Sequence, residues 1–287
     1  MRLSAENTAV VLDSTADLPD PRARHPNWRV VPLYVRFGDE TFREYVELSA
    51  DEFYERLRAA SEPPRSSQPT PADFAAAYEE LAGYEKILSV LISGKLSGTL
   101  ESARLGAESI GDPRVTVIDS GVTSGGTVIL ADALQRRLER GTTEEELLEV
   151  VERFKRERGL LFTVETLEYL VRGGRLGKAQ GLAGQLLSVK PILQFQDGEV
   201  APLKRLRGRA KALAEFERLF VEATEDSPDL HVGVAHAAAP ADAEDLERRV
   251  RAARPSASLD FLGELGPVIG THGGPGTLGL FWFHDPS

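Results

Sequence analysis

Three segments, far apart in the chain, place hydroxyl side chains and glycines where a strand should hand over to a helix. They are Arg65-Ser66-Ser67-Gln68-Pro69-Thr70-Pro71, Ile92-Ser93-Gly94-Lys95-Leu96-Ser97-Gly98-Thr99 and Ile118-Asp119-Ser120-Gly121-Val122-Thr123-Ser124-Gly125-Gly126. A loop of that composition at a helix start offers hydroxyls and backbone N–H groups to an anion. None of the three carries a nucleophile–base pair of its own. The pattern points first to holding an acidic small molecule and only second to transforming one. Two further segments share the polar-plus-glycine character. In Leu170-Val171-Arg172-Gly173-Gly174-Arg175 the glycine pair reads as a helix C-cap, and Arg175 behind it can swing to an anion. In Gly266-Pro267-Val268-Ile269-Gly270-Thr271-His272-Gly273-Gly274-Pro275-Gly276, His272 sits amid glycine rather than in the apolar pattern of a core histidine. It is a site candidate on that ground. His25, His231, His236 and His284 have no such setting and read as structural or surface residues.

Several chemistries are excluded by what these motifs lack. There is no His-Glu-x-x-His, no calcium-type aspartate loop and no cysteine, so no metal is expected. There is neither a Walker A sequence nor a Gly-x-Gly-x-x-Gly after a strand, and no cofactor is expected. Ser97, His272 and either Asp13 or Asp119 could supply a triad, but no nucleophile elbow accompanies them. A hydrolase or phosphotransferase using Ser97 and His272 therefore stands as the alternative to a binding protein. A binder of another amphiphilic acid is the second alternative.

The elements that must position these residues follow a β-loop-α rhythm in the first half. Strands are expected at Thr8–Leu12, Arg29–Phe37 (with Pro32 marking an edge or bulge), Lys86–Ile92 and Val115–Ile118. Helices are expected from Ser49, capped by Ser49 and Glu52, from Thr70 with Pro71 at its first position, from about Leu100, and over Thr127–Arg140. Phe74, Ala77, Tyr78 and Leu81 share one helical face. The rhythm implies a mostly parallel sheet flanked by helices, with ligands at the carboxyl ends of the strands. The second half mixes a helix over Thr143–Arg158 and a strand over Gly159–Val164 with a hairpin. That hairpin pairs Val189–Phe195 with Val200–Lys204 through Asp197-Gly198. Further strands at Leu230–Ala235, Ser258–Leu262 and Thr277–Phe283 surround a helix over Ala241–Ala253. The expectation is an N-terminal α/β domain over 1–150 and a C-terminal α+β domain with a mixed sheet over 151–287.

The 287 residues, 41% of them apolar, suffice for a real core. No apolar run is long enough for a membrane span and no signal-peptide pattern opens the chain, so a cytoplasmic protein is expected. The net charge of −11 speaks against nucleic acid. One basic stretch, Lys204-Arg205-Leu206-Arg207-Gly208-Arg209-Ala210-Lys211, reads either as a solvated junction or as a docking and phosphate-facing patch.

Taken in order, these segments resemble the DegV family of bacterial fatty-acid-binding proteins. The resemblance runs from Asp13-Ser14-Thr15-Ala16-Asp17-Leu18-Pro19 through Ser66-Ser67-Gln68-Pro69, Leu96-Ser97-Gly98-Thr99 and Asp119-Ser120. Its most specific stretch is Tyr169-Leu170 and Gly173-Gly174-Arg175-Leu176-Gly177 to Lys190-Pro191-Ile192-Leu193. Arg207-Gly208 and His272-Gly273-Gly274-Pro275-Gly276 complete it. The resemblance implies two domains with a long-chain fatty acid between them, carried for a separate ATP-using fatty-acid kinase subunit that forms the acyl phosphate. It implies no catalytic machinery in the chain itself. It assigns the fatty-acid carboxylate to Ser66, Ser67, Ser97, Gly98, Thr99 and His272, and phosphate or partner contact to Arg175 and Arg207. Leu100 departs from the family's usual tyrosine, at a position expected near the pocket mouth.

Overall fold

The computed structural model describes residues 2–185 and 190–286; Met1 and Val189, the latter expected to open the hairpin, lie outside them. Strand β1 (Thr8–Asp13) is buried along its whole length and leads through α1 (Pro21–Arg24) to β2 (Trp28–Val31). The expected single strand over Arg29–Phe37 is broken. Pro32 has no N–H to give a ladder, and the chain leaves the first sheet there. It resumes as β3 (Tyr34–Phe37) in a small antiparallel sheet with β4 (Glu40–Arg43).

Helix α2 (Ala50–Ala59) starts as expected, with Glu52 N–H donating to Ser49 and the Glu52 carboxylate accepting from the Ser49 N–H. The first hydroxyl segment is not all loop: β5 (Arg65–Ser67) pairs with β3, setting Ser66 opposite Val35. Then come α3 (Pro71–Glu79), capped by Thr70, β6 (Lys86–Leu91), α4 (Thr99–Ser109), β7 (Val115–Asp119), α5 (Gly125–Arg140) and α6 (Glu144–Glu157). Phe74, Tyr78 and Leu81 are buried, as their spacing requires.

The second half begins with β8 (Gly159–Thr163), α7 (Glu168–Arg172) and a 3-10 stretch over Gly177–Gln185. The hairpin β9 (Lys190–Gln196) and β10 (Glu199–Leu206) turns at Asp197-Gly198, both with positive φ as a tight hairpin turn demands. It is followed by α8 (Arg209–Ala223), β11 (Leu230–His236), α9 (Pro240–Ala253), β12 (Ser258–Glu264), α10 (Pro267–Gly273) and β13 (Leu278–His284). Helix α10 is not anticipated, because glycine disguises it. A Cβ at Gly270 would stand 2.6 Å from the Phe53 ring, so the glycine lets α10 approach α2 rather than marking a loop.

Strands β2-β1-β6-β7 form a parallel sheet. Strands β10-β9-β8-β13-β11-β12 form a mixed one, in which β11 and β12 run parallel. Helix α5 lies between the two, touching β6 on one side and β11, β12 and β13 on the other. One apolar cluster joins Leu12, Leu88 and Val90 of the first sheet to Phe261, Phe281 and Phe283 of the second through Val128–Leu138 of α5. Among the described residues no helix is long and apolar enough to cross a membrane.

Candidate functional site

A cavity of about 350 Å³ opens where the carboxyl end of β6, the segments after β2 and β7, the small antiparallel sheet and the mixed sheet converge. Its volume lies in the range of small-molecule sites, about 300–1,000 Å³. Most of the wall is hydrocarbon. Leu33, Leu265, Val268 and Ile269 line one side, Leu160, Phe162, Phe195 and Phe281 another. Phe162 and Phe195 stack, with ring centroids 5.6 Å apart. No acidic side chain lines the cavity among the described residues, although the chain carries a net charge of −11. Arg175 is the single cation in that lining.

The polar end is built by elements distant in sequence. β5 presents Ser66, and α10 presents His272. Ser66 Oγ and His272 Nε2 share a hydrogen bond of 2.7 Å. Burial, helped by the Arg175 charge, lowers the His272 pKa to about 4, so the ring is neutral near pH 7. Its Nδ1 is buried without a partner. That nitrogen faces Gly173, where a Cβ would come within 2.1 Å of it, so only glycine leaves the ring its place. With hydrogen on Nε2 the ring donates to Ser66 Oγ and frees the Ser66 proton for a ligand; with hydrogen on Nδ1 it accepts from the Ser66 hydroxyl.

Ser97 joins from the turn before α4. Its hydroxyl lies 2.8 Å from Thr99 Oγ1 and accepts from the Thr99 N–H at 3.3 Å. Ser67 and Gln68 line the same end. Arg175 donates to the carbonyls of Leu96, at 3.1 Å, and Gly173, at 2.6 Å, which ties the loop after α7 to the Ser97 loop.

The structure thus brings Ser66, Ser67, Ser97, His272 and Arg175 to one cavity. Gly98 and Thr99 stand behind Ser97 at the start of α4, outside the lining. Arg207 is exposed in the turn between β10 and α8 and does not line the cavity. Leu100 is not at a pocket mouth; it is 8% exposed, packed in the apolar cluster with Phe74 and Tyr78. Thr123, Ser124 and Thr277 also line the cavity and were not singled out as ligand contacts. Thr123 and Ser124 belong to the third hydroxyl loop, so the signal for them was present. The apolar wall gave none, because the eight residues named come from three strands, two loops and a helix.

The chemistry available here is hydrogen-bond donation to an anion beside an apolar chamber. A nucleophile–base reading needs a third group to orient the imidazole. Nδ1 has none, and His272 is bonded to Ser66 rather than to Ser97. Among the described residues no group of His, Asp and Glu is arranged to hold a metal.

The family model described as "Uncharacterised protein, DegV family" matches residues 7–285. The chain belongs to the DegV family. A DegV domain-containing protein of Halalkalibacterium halodurans is 36% identical over 277 residues, covering 96% of this chain and 98% of the relative. Among solved structures, a DegV family protein from Thermus thermophilus, described by its fatty-acid binding, superposes with a TM-score of 0.89. It is 37% identical, with 97% of this chain and 99% of that one covered. DegV from Bacillus subtilis, described as a fatty acid binding protein, gives 0.88 at 33% identity, with 96% and 99% covered. The α/β architecture with one parallel and one mixed sheet is that of these DegV structures.

Proposed function

We propose that this chain binds a long-chain fatty acid in the cavity, its carboxylate at Ser66, Ser67, Ser97 and His272 and its tail against the apolar wall. We propose further that it acts in the cytoplasm and presents that carboxylate to a separate ATP-using kinase subunit, which makes the acyl phosphate. The observation that carries the reading is a single apolar chamber ending in hydroxyls and a neutral imidazole. The DegV relatives described as fatty-acid binding support it.

Energetics favour the same division of labour. Burying a methylene is worth about 0.8 kcal/mol, so about fifteen give on the order of 10 kcal/mol gross. A hydrogen bond to a charged group nets only about 1.5–3 kcal/mol. The tail then supplies affinity, and the hydroxyls set orientation while leaving the carboxylate reactive. The ligand lies where residues 1–150, built on the parallel sheet, meet residues 151–287, built on the mixed one. Arg175 beside the head group, and Arg207 on the exposed turn, suit the phosphate and the partner. The chain contributes no catalytic group of its own in this reading.

Native mass spectrometry of the protein purified from bacteria tests the first step. A co-purified fatty acid is the expected result, and a bound nucleotide in its place would overturn the reading. Incubation with a bacterial fatty-acid kinase and ATP tests the second, with acyl phosphate as the readout.

A further inference from the structure

Three carboxyl groups are buried beside the cavity: Asp13, Asp17 and Glu44. Asp13 is fully satisfied. It accepts from Thr15 N–H at 3.0 Å, Thr15 Oγ1 at 2.5 Å and Ile92 N–H at 2.7 Å. Asp17 and Glu44 do something different, because both reach the first turn of α10. Asp17 Oδ1 accepts from Gly266 N–H at 2.8 Å, and Glu44 Oε1 from Val268 N–H at 2.7 Å. The approach is close: a Cβ at Gly266 would lie 2.8 Å from Glu44 Oε1 and 2.2 Å from the Tyr45 hydroxyl. The two acids therefore clamp the helix that carries Val268, Ile269 and His272 into the cavity.

Every bond to this pair comes from a neutral donor. Glu44 Oε2 accepts from Ser14 Oγ at 2.5 Å, and Asp17 Oδ1 also accepts from the Tyr45 hydroxyl at 3.3 Å. Only one of the four carboxyl oxygens lacks a donor, Asp17 Oδ2. It faces Ser124, whose Oγ is likewise buried without a bond in good geometry and which lines the cavity at the start of α5. Ser124 is held there with φ 56° and ψ −141°, a backbone conformation that a non-glycine residue rarely adopts. A buried oxygen with no donor is the place for a proton, since as an anion it would bear its full desolvation cost. Two neighbouring buried carboxylates also cannot both ionise without strong repulsion.

We propose that Asp17 is the protonated member of this pair near neutral pH, its proton on Oδ2 facing Ser124, and that losing that proton loosens the clamp on α10 and the His272 end of the cavity. Asp17 and Glu44 are positioning residues in this account; neither touches the ligand. The titratable groups that face the pair are Asp13 from β1, Tyr45 after β4 and Tyr54 from α2, whose hydroxyl donates to Leu265 O at 2.8 Å; Glu264 at the end of β12 acts on Tyr54. Burial and the Asp13 charge favour retention of the proton and outweigh the hydrogen bonds from Gly266 N–H and the Tyr45 hydroxyl, which favour the anion. Burial pushes Asp17 up to about 7 and raises Glu44 as well, so the pair does not carry two charges near neutral pH.

The test uses the full chain labelled with carbon-13 at its carboxyl carbons and nitrogen-15 in its imidazoles. The expected result is a carboxyl signal that titrates between about pH 6 and 8 and is missing in Asp17→Asn. The His272 ring signals should shift over the same interval in the wild type and stay fixed in Asp17→Asn. That interval is well above the titration of His272 itself. Glu44→Gln, which removes the neighbouring charge, should move the Asp17 titration to lower pH, and it serves if Asp17→Asn does not fold. An Asp17 carboxyl already ionised at pH 5, or His272 shifts that persist in Asp17→Asn, overturns the proposal. A ligand arm rests on the fatty-acid reading: palmitate should dissociate several-fold faster at pH 8.5 than at pH 6, with that slope lost in Asp17→Asn. An unchanged slope in the variant counts against the clamp. Absence of palmitate binding at every pH, with Asp17 titrating as described, counts against the fatty-acid reading and leaves the clamp supported.

Discussion

Ser66 and His272 are 206 residues apart in the chain and 2.7 Å apart in the fold. The bond joins an edge strand of the small sheet to a helix leading into the mixed sheet, so the polar end of the cavity forms only once both parts have folded. It also decides what the imidazole can do. A ring bonded to a serine on one nitrogen and blocked by glycine on the other orients a hydroxyl; it does not relay protons.

That arrangement makes Gly173→Ala informative. The added Cβ would press on His272 Nδ1, and overpacking of this kind costs roughly 1–3 kcal/mol. The ring should turn away from Ser66. Palmitate retention should fall while the far-ultraviolet circular dichroism stays native. Unchanged retention with an unchanged His272 ring signal would show that the ring has room the structure denies it.

Ser97→Ala tests the second half of the head-group site. It removes one hydroxyl and leaves Thr99 free to keep the start of α4. Phosphorylation of bound acyl chains by a partner kinase should drop at least tenfold, with binding reduced much less, since the tail dominates affinity. Equal turnover by variant and wild type would remove Ser97 from the carboxylate.

Arg207→Glu probes the exposed turn rather than the cavity. Fatty-acid affinity should stay within about twofold, while coupling to the kinase weakens most at low salt, where the Debye length is long. Measuring both at about 0.05 and 0.3 M salt separates a charge contact from a structural effect. Kinase coupling that is indifferent to the substitution at both salts would withdraw Arg207 from the interface.

Much of this was legible in the sequence, and the reasons for success and failure are physical. Capping boxes at Ser49 and Thr70 are local, and both formed where their spacing put them. The Asp-Gly turn is equally local and closed its hairpin. Ser66, Ser97 and His272 could be singled out because hydroxyls and an imidazole amid glycine are poor choices for a core. Helix α10 was hidden because its Gly270 answers to Phe53 and Tyr54, residues more than 200 positions away. The Asp17–Glu44 pair was invisible for the same reason: nothing near Glu44 in sequence tells that its carboxyl will meet the α10 backbone. The break at Pro32 was readable as an interruption, but which sheet β3 would join was not.

The last prediction concerns His272 and pH. Its pKa is lowered in the folded chain to about 4, against an ordinary value of 6.5. The unfolded chain therefore binds a proton that the folded chain refuses between those values. Stability contributed by the neutral ring is intact above about pH 6.5 and is lost progressively as pH falls toward 4, at up to about 1.4 kcal/mol per pH unit. Denaturant midpoints of wild type and His272→Gln should therefore converge or cross between pH 7 and 5, the wild type losing more. The same neutral ring predicts no hydrolase behaviour. Long- and short-chain acyl esters should survive incubation between about pH 6 and 8, because a ring with so low a pKa is a weak base. His272→Ala should still retain some palmitate. Ester hydrolysis that vanished in both Ser66→Ala and His272→Ala would reverse the argument, and the pair would have to be treated as a nucleophile and its base.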